Sequence, residues 1–306
     1  MLARFFARRL ATGLVVVVFS SLLSWLLVYV LGNPARLMLP ISATDAQVAA
    51  FSGQMGFDKP IAERLVKFAL GAIHGDFGTS YWQNEPAMTV VLRALPAELE
   101  LILSSILLAY VLSLFFGVLA ARSPGGLLDR AIITLSMVGV SMPAFWLGEL
   151  MIVVFAVKLH LFPVGGYDGL ATLVLPVMTT AALPLGRLTQ VVRSSVVDET
   201  NRSHIVSLRA RGVPERRILF LHSVRNASAA IVTMGGWEIG RLLAGFTVTI
   251  EIIFSWPGLG HLAVDAIVQR DLPLIVADVF FVSCALVTLN IIIDLLRVLL
   301  DRRVAL

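Results

Sequence analysis

Five histidines, His74, His160, His204, His222 and His261, are scattered along the chain. None belongs to a His-Glu-x-x-His pair that would set two imidazoles on one helical face around zinc. No serine occupies a Gly-x-Ser-x-Gly elbow, so the sequence carries no acyl-transfer signature. Lys59, Lys67 and Lys158 are the only lysines and none follows a glycine, which excludes the Gly-Lys-Ser/Thr loop that cradles nucleotide phosphates. The single cysteine, Cys284, lies in an apolar run and reads as a small packing residue, with no disulfide or cysteine-built metal site possible within one chain. What remains are charges in apolar surroundings: Glu149, Arg187, Glu238, Arg241, Asp278 and Asp294. A charge at the bilayer centre costs about 2.5–3.5 kcal/mol on insertion scales, so such groups face a cavity or a partner. Glu238 and Arg241 are three residues apart and share a helix face. They read two ways: with Trp146, Glu149 and Trp237 they line a path that holds the ends of a zwitterion, or they form an interhelical salt bridge. Arg187 and Asp294 lie near helix ends, where snorkelling or capping is expected.

A second group of residues has the chemistry of a handle. Residues 193–227 are too polar to span a membrane and too patterned for a linker. Ser203 is a suitable N-cap for a short helix over His204, Ile205, Val206, Ser207, Leu208, Arg209, Ala210 and Arg211. Gly212 suits the left-handed position that stops it. Pro214 then opens a second short helix with Glu215 in its first turn. A short rigid helix of this kind can be gripped by a cytoplasmic partner. The other reading is an arginine-rich loop that fixes topology and touches anionic lipid.

The elements that must carry these groups follow from composition. The 306 residues are 58% hydrophobic and 14% charged, with a mean hydropathy of +0.89. Such a chain lacks the charged surface of a soluble domain. At about 1.5 Å per residue, roughly 20 apolar residues cross the hydrocarbon core. Six candidate spans result, near 10–31, 97–121, 131–157, 172–192, 228–253 and 272–299. The first follows Arg4, Arg8 and Arg9 but is too long for a cleavable signal, and reads as a retained anchor within 1–32. Arginines at 122, 130, 193, 202, 209, 211, 216, 217, 225, 302 and 303 fall on one side with the N-terminus. The opposite short loops hold little beyond Lys158 and Arg270, so both termini are expected in the cytoplasm. The net charge of +4 is explained by this asymmetry and needs no nucleic-acid partner.

Residues 33–95 form the one long external segment, with mixed charges. Within it Ile61 to Ile73 has helical periodicity ending at Gly71 or Gly75, and 75–86 is rich in turn formers. The expectation is a small ordered cap. Pro96 is expected in the first turn of the second span, with Glu98 and Glu100 at its positive end. Pro143, Pro176 and Pro184 interrupt later spans. Glu251 with Pro257-Gly258 suggests a helix end and a tight turn. Residues 259–268 then read either as a short gate helix dipping back or as an ordinary outer loop.

The motif Arg209-Ala210-Arg211-Gly212, then Glu215-Arg216-Arg217 and His222-Ser223-Val224-Arg225-Asn226-Ala227, resembles the coupling loop of ABC importer permeases. Gly75-Asp76-Phe77-Gly78, Ser141-x-Pro143-x-Phe145-Trp146-x-Gly148, Phe162-Pro163-x-Gly165-Gly166-Tyr167 and Glu251-x-x-Phe254-Ser255-Trp256-Pro257-Gly258-Leu259-Gly260 extend the resemblance along the chain. So do Asn290, Asp294, Asp301 and Arg303 near its end. The likeness is to the B-type permease of dipeptide and oligopeptide importers, with departures at His204, Leu208, Arg241 and Arg302. It implies an all-α membrane protein with six transmembrane helices of the type I importer kind, a transmembrane domain over 96–306, and a coupling loop at 193–227. It also implies a second homologous permease, two ATP-binding subunits that carry ATP and Mg, and an extracytoplasmic peptide-binding protein. The chain itself would hold no cofactor and no metal. Nickel chelates or haem are the other cargoes of this family. Hydropathy alone does not exclude an independent secondary transporter, though that would call for inverted repeats, and none is visible.

Overall fold

In the computed structural model, residues 2–30, 35–36, 39 and 42–300 are described, apart from the side chains at 2–6, 27–30, 55 and 297–300. The side chain of Arg4 and the residues Asp301, Arg302 and Arg303 therefore lie outside the described set, as does the expected boundary at 32/33. The described residues are helical almost throughout, with one isolated antiparallel bridge between Thr79 and Pro86. The helices are α1 (Leu2–Val30), α2 (Asp45–Met55), α3 (Ile61–Ile73), α4 (Ala87–Ala121), α5 (Leu127–Ser141), α6 (Ala144–Lys158), α7 (Leu170–Thr200) and α8 (Ser203–Ala210). They continue with α9 (Val224–Arg241), α10 (Val248–Ile253), α11 (Leu259–Val268) and α12 (Leu272–Leu300). Among the described residues, α1, α4, α7 and α12 are each long and apolar enough to cross a membrane, and the bent pair α5–α6 makes a fifth. The stretch expected as a further span, 228–253, is not one continuous helix. It breaks at Gly245, whose φ of +105° suits a residue without a Cβ.

The chain divides into two compact units. The first comprises Met1–Pro96 and Gly258–Val287. Its core joins Trp25, Phe77, Val90, Val91, Leu274 and Ala277, with Leu65 and Phe68 of α3 packed against it. An aromatic ladder runs through it: Trp25 stacks on Phe68 at 5.8 Å, Phe68 leans on Phe77 at 6.2 Å, and Phe77 on Phe280 at 4.8 Å. Buried Asp271 fastens the 78–86 turn, accepting from Ser80 Oγ at 2.5 Å and capping the first turn of α12 at the Leu274 amide. The Trp82 indole donates to the Gln269 carbonyl at 2.8 Å. Helix α3 covers the expected periodic run and continues through Gly71, so of the two expected stops it is Gly75 that lies beyond its end, in the left-handed region.

Helix α4 starts earlier than expected. Its amides at Ala87 and Thr89 bond the carbonyls of Gly78 and Pro86, so the first turn forms there and Pro96 lies inside the helix. Pro96 is tolerated because it costs one internal bond in a helix held by packing on both sides of it. Glu98 accordingly does not serve a helix start. It is buried and accepts from Thr247 Oγ1 at 3.3 Å.

The second unit comprises Ala97–Pro257 and Thr288–Leu306. Helix α7 is its axis and packs along α5 and α9. At one end Asp129, buried, receives both Arg193 Nε and Nη2 (2.9 and 2.7 Å) and the Gly125 amide (2.7 Å). Such a bidentate fork is the strong form of an ion pair. Pro143 separates α5 from α6 with a bend of 101°. At another end Trp256, almost fully buried, donates its indole N–H to the Ala97 carbonyl at 2.9 Å and meets Tyr167 edge to face at 4.8 Å.

Candidate functional site

The handle expected from sequence is present, with its start moved by one residue. Helix α8 begins at Ser203, and its N-cap is Arg202, whose backbone is extended (φ −79°, ψ 151°). The cause is local electrostatics. Arg202 Nε reaches Glu199 Oε2 at 3.0 Å, which holds Arg202 at the junction and draws Ser203 into the first turn. The end is as expected: Gly212 has φ +74°, its amide bonds the Arg209 carbonyl, and the Val213 amide bonds the Leu208 carbonyl. This pair of bonds is the Schellman stop.

The second helix of the loop differs from expectation. Glu215–Arg217 is a single turn that flows through a π-helical stretch, Ile218–Ser223, directly into α9. The handle is thus one short helix held between two long ones. Ile205 is its buried anchor. At its base the Glu199 carboxylate, also buried, accepts from Asn226 Nδ2 at 2.8 Å, and His204 Nε2 lies 3.3 Å from Glu199 and 3.2 Å from Asn226. At its tail Arg209 forks onto Glu215 (2.7 and 3.2 Å) and reaches the Thr200 carbonyl at 3.4 Å. The Arg209 hydrogen bond holds the Glu215 carboxyl below the usual carboxylate range, against a smaller opposing effect of burial. The outward side shows Val206, Ser207, Ala210, Arg211 and Gly212. Leu208 is half-buried. Neither Glu199 nor Asn226 was singled out from sequence as a holder of this helix, although Asn226 sits within the loop motif.

The intramembrane charges also assemble, more fully than the sequence indicated. Glu238 is completely buried in α9. Its two oxygens each face one cation: Arg187 Nη1 at 3.4 Å and Arg241 Nη1 at 3.4 Å. Arg241 also lies over the Phe246 ring at 4.2 Å, a cation–π contact. The expectation that Arg187 snorkels or caps is therefore overturned: its guanidinium turns to a carboxylate 51 residues away. A buried carboxylate without a cation would be far costlier than a longer reach by Arg187. Asp294, the other residue expected to snorkel or cap, is buried in α12. One anion between two cations leaves the cluster with an excess positive charge. Trp146, Glu149 and Trp237 are exposed on this chain. Among the described residues no hydrogen bond or ion pair joins Trp146 or Glu149 to the cluster.

The expected gate and turn residues separate. Glu251 is buried in the last turn of α10, and its carbonyl accepts the Trp256 amide at 2.7 Å across the left-handed Ser255, so the expected helix end and tight turn are present there. Phe254 is fully buried among Ala156, Leu175 and Ile250, and its carbonyl takes the Gly166 amide at 2.8 Å. Pro257 ends that unit, and Gly258 is the N-cap of α11, with Gly260 in its first turn. Residues 259–268 form a helix, with Leu259 and Ala266 buried.

The chain as a whole has relatives among known proteins. Residues 113–306 match the family described as "Binding-protein-dependent transport system inner membrane component", and residues 1–102 match its N-terminal companion. The oligopeptide transport system permease protein AppB of Bacillus subtilis is 33% identical over 315 residues, covering 99% of each chain. The di/tripeptide transport system permease protein DppB of Pseudomonas aeruginosa is 31% identical, covering 98% of each. The glutathione transport system permease protein GsiC of Escherichia coli K12 is 33% identical, covering 90% of each. The chain belongs to the family of inner-membrane components of binding-protein-dependent transport systems.

Proposed function

We propose that this chain is one permease subunit of an ATP-driven importer and forms half of a pathway for dipeptides or oligopeptides across the cytoplasmic membrane. Helix α8 is the element on which an ATP-binding subunit docks. The observation that carries this reading is the bracing of α8. Its base is tied through Glu199 and Asn226, and its tail through Arg209 and Glu215. A helix fixed at both ends transmits displacement to α7 and α9 instead of absorbing it. ATP binding would bias two arrangements of the bundle through that contact. ATP and Mg belong to the partner subunits, and an extracytoplasmic binding protein delivers the cargo.

The peptide assignment is supported by what the relatives are named for. The Arg187–Glu238–Arg241 cluster fits it, since its excess positive charge would attract a peptide carboxylate. In this reading Val224–Ile253 completes a sixth span around the Gly245 break, both termini face the cytoplasm, α11 is the gate helix, and residues 42–86 form the external cap.

The test is uptake of a peptide panel by the permease pair reconstituted with its ATPases and binding protein. ATP-dependent accumulation of peptides is the expected result. Accumulation without ATP, driven by an ion gradient, would overturn the importer reading in favour of a secondary transporter. ATP-dependent uptake of a nickel chelate or haem, but of no peptide, would overturn the cargo alone.

A further inference from the structure

Helix α3 packs without burying a single residue fully, yet it is rich in apolar side chains. Placed at 3.6 residues per turn, the twelve residues that follow Ile61 fall into three sectors. Leu65, Phe68 and Ala72 form one, which packs on the core of the first unit. Glu63, Arg64, Lys67 and Gly71 form the second, a polar strip. The third holds Ala62, Val66, Ala69, Leu70 and Ile73, spread over an arc of about 100°. Val66, Leu70 and Ile73 are 58%, 57% and 77% exposed.

The height of α3 relative to the bilayer can be read from α1. The apolar run of α1 follows Arg8 and Arg9 and reads Leu10–Leu31 in the sequence, about the thickness of the hydrocarbon core at about 1.5 Å per residue. Trp25 stands six residues, about 9 Å, inside the end of that run and stacks on Phe68 of α3 at 5.8 Å. The middle of α3 is therefore held within about 10 Å of the membrane–water boundary. There the neighbouring face of α1 exposes Leu22, Leu23 and Leu26, a lipid-facing surface. A helix at that level with one side on protein, one side polar and one side apolar has the form of an interfacial helix.

We infer that α3 lies in the membrane interface where α1 ends, with Val66, Leu70 and Ile73 inserted among the lipid acyl chains and Glu63 and Lys67 in the headgroup and water layer. Its occupant is the lipid surface. The ladder Trp25–Phe68–Phe77–Phe280 then ties the 42–86 segment to a fixed depth. This inference does not depend on the identity of the cargo.

Spin labels placed singly at Glu63, Val66, Lys67, Leu70 and Ile73, in the full chain on a Cys284→Ser background in lipid nanodiscs, provide the test. Labels at 66, 70 and 73 should collide with lipid-soluble oxygen several-fold more than with a water-soluble nickel chelate, at depths of about 5–10 Å. Labels at 63 and 67 should show the reverse. Nickel-chelate access at all five positions would overturn the inference, because the stripe would face water. Shielding of 66, 70 and 73 from both reagents would also overturn it, because protein would cover the stripe. Five separate variants keep the periodicity readable if any one fails to fold.

Discussion

Arg209 and Glu215 clasp each other through both carboxylate oxygens, at 2.7 and 3.2 Å, across the left-handed turn at Gly212. The clasp is half exposed, so its contribution to global stability is small, about 0.2–1 kcal/mol. Its value is geometric, because it fixes the exit of α8 against the entry to α9. Glu215→Gln should leave the thermal midpoint nearly unchanged while lowering ATP-driven uptake several-fold. Recovery of a crosslink from Ser207→Cys to the ATPase subunit should fall in parallel. Unchanged uptake, with the crosslink intact, would remove the clasp from coupling.

The same pair has a defined pH response. Arg209 depresses the folded-state Glu215 carboxyl, so the ionised form is favoured in the folded loop. The stabilisation is complete above the unfolded value of about 4.3 and is lost as pH falls through the lower folded value. Hydrogen exchange of the amides at 208–213, 215 and 216 should therefore show protection independent of this group between pH 6 and 8, once the intrinsic rate is removed. Protection should fall only under acid conditions, by no more than about fivefold for a pair worth about 0.2–1 kcal/mol, and in Glu215→Gln that acid step should vanish.

Gly212 tests the stop itself. A residue with a Cβ at φ +74° costs roughly 1–2 kcal/mol. Gly212→Val should weaken the clasp and uptake further than Gly212→Asn, since asparagine tolerates the left-handed region. Membrane insertion of both variants, measured by protease protection, should match the parent. Equal uptake by the two variants would show that the loop tolerates other stops.

How far the sequence reaches is visible in three elements. Helix α3 was legible as one periodic run, though its end stayed open between Gly71 and Gly75 because both are glycines and only the left-handed backbone at Gly75 distinguishes the stop. Helix α8 was legible in its stop, a local glycine property, but shifted at its start, because Arg202 answers to Glu199 and not to the usual preference for serine at a cap. Glu238 and Arg241 were legible as a pair because they sit three apart. Arg187 was not, since 51 residues separate it from Glu238 and no local spacing encodes such a meeting. The π-helical stretches were invisible for a related reason: one extra residue in a turn hardly alters an apolar pattern.

The Arg187–Glu238–Arg241 cluster makes a sharper demand. Removing the anion with Glu238→Gln leaves two cations facing each other and should destabilise by about 3–5 kcal/mol. That loss should appear as a lower midpoint in detergent. Glu238→Gln combined with Arg241→Gln should recover part of it, because Arg187 alone can hydrogen-bond the amide. Arg241→Gln alone leaves Glu238 with Arg187 and should spare assembly. If the cluster lies on the cargo path, that single variant raises the KM for peptides with a free carboxylate more than for amidated ones, at little change in kcat. If uptake, substrate range and assembly are all unchanged, the cluster is a structural bridge and the path runs elsewhere.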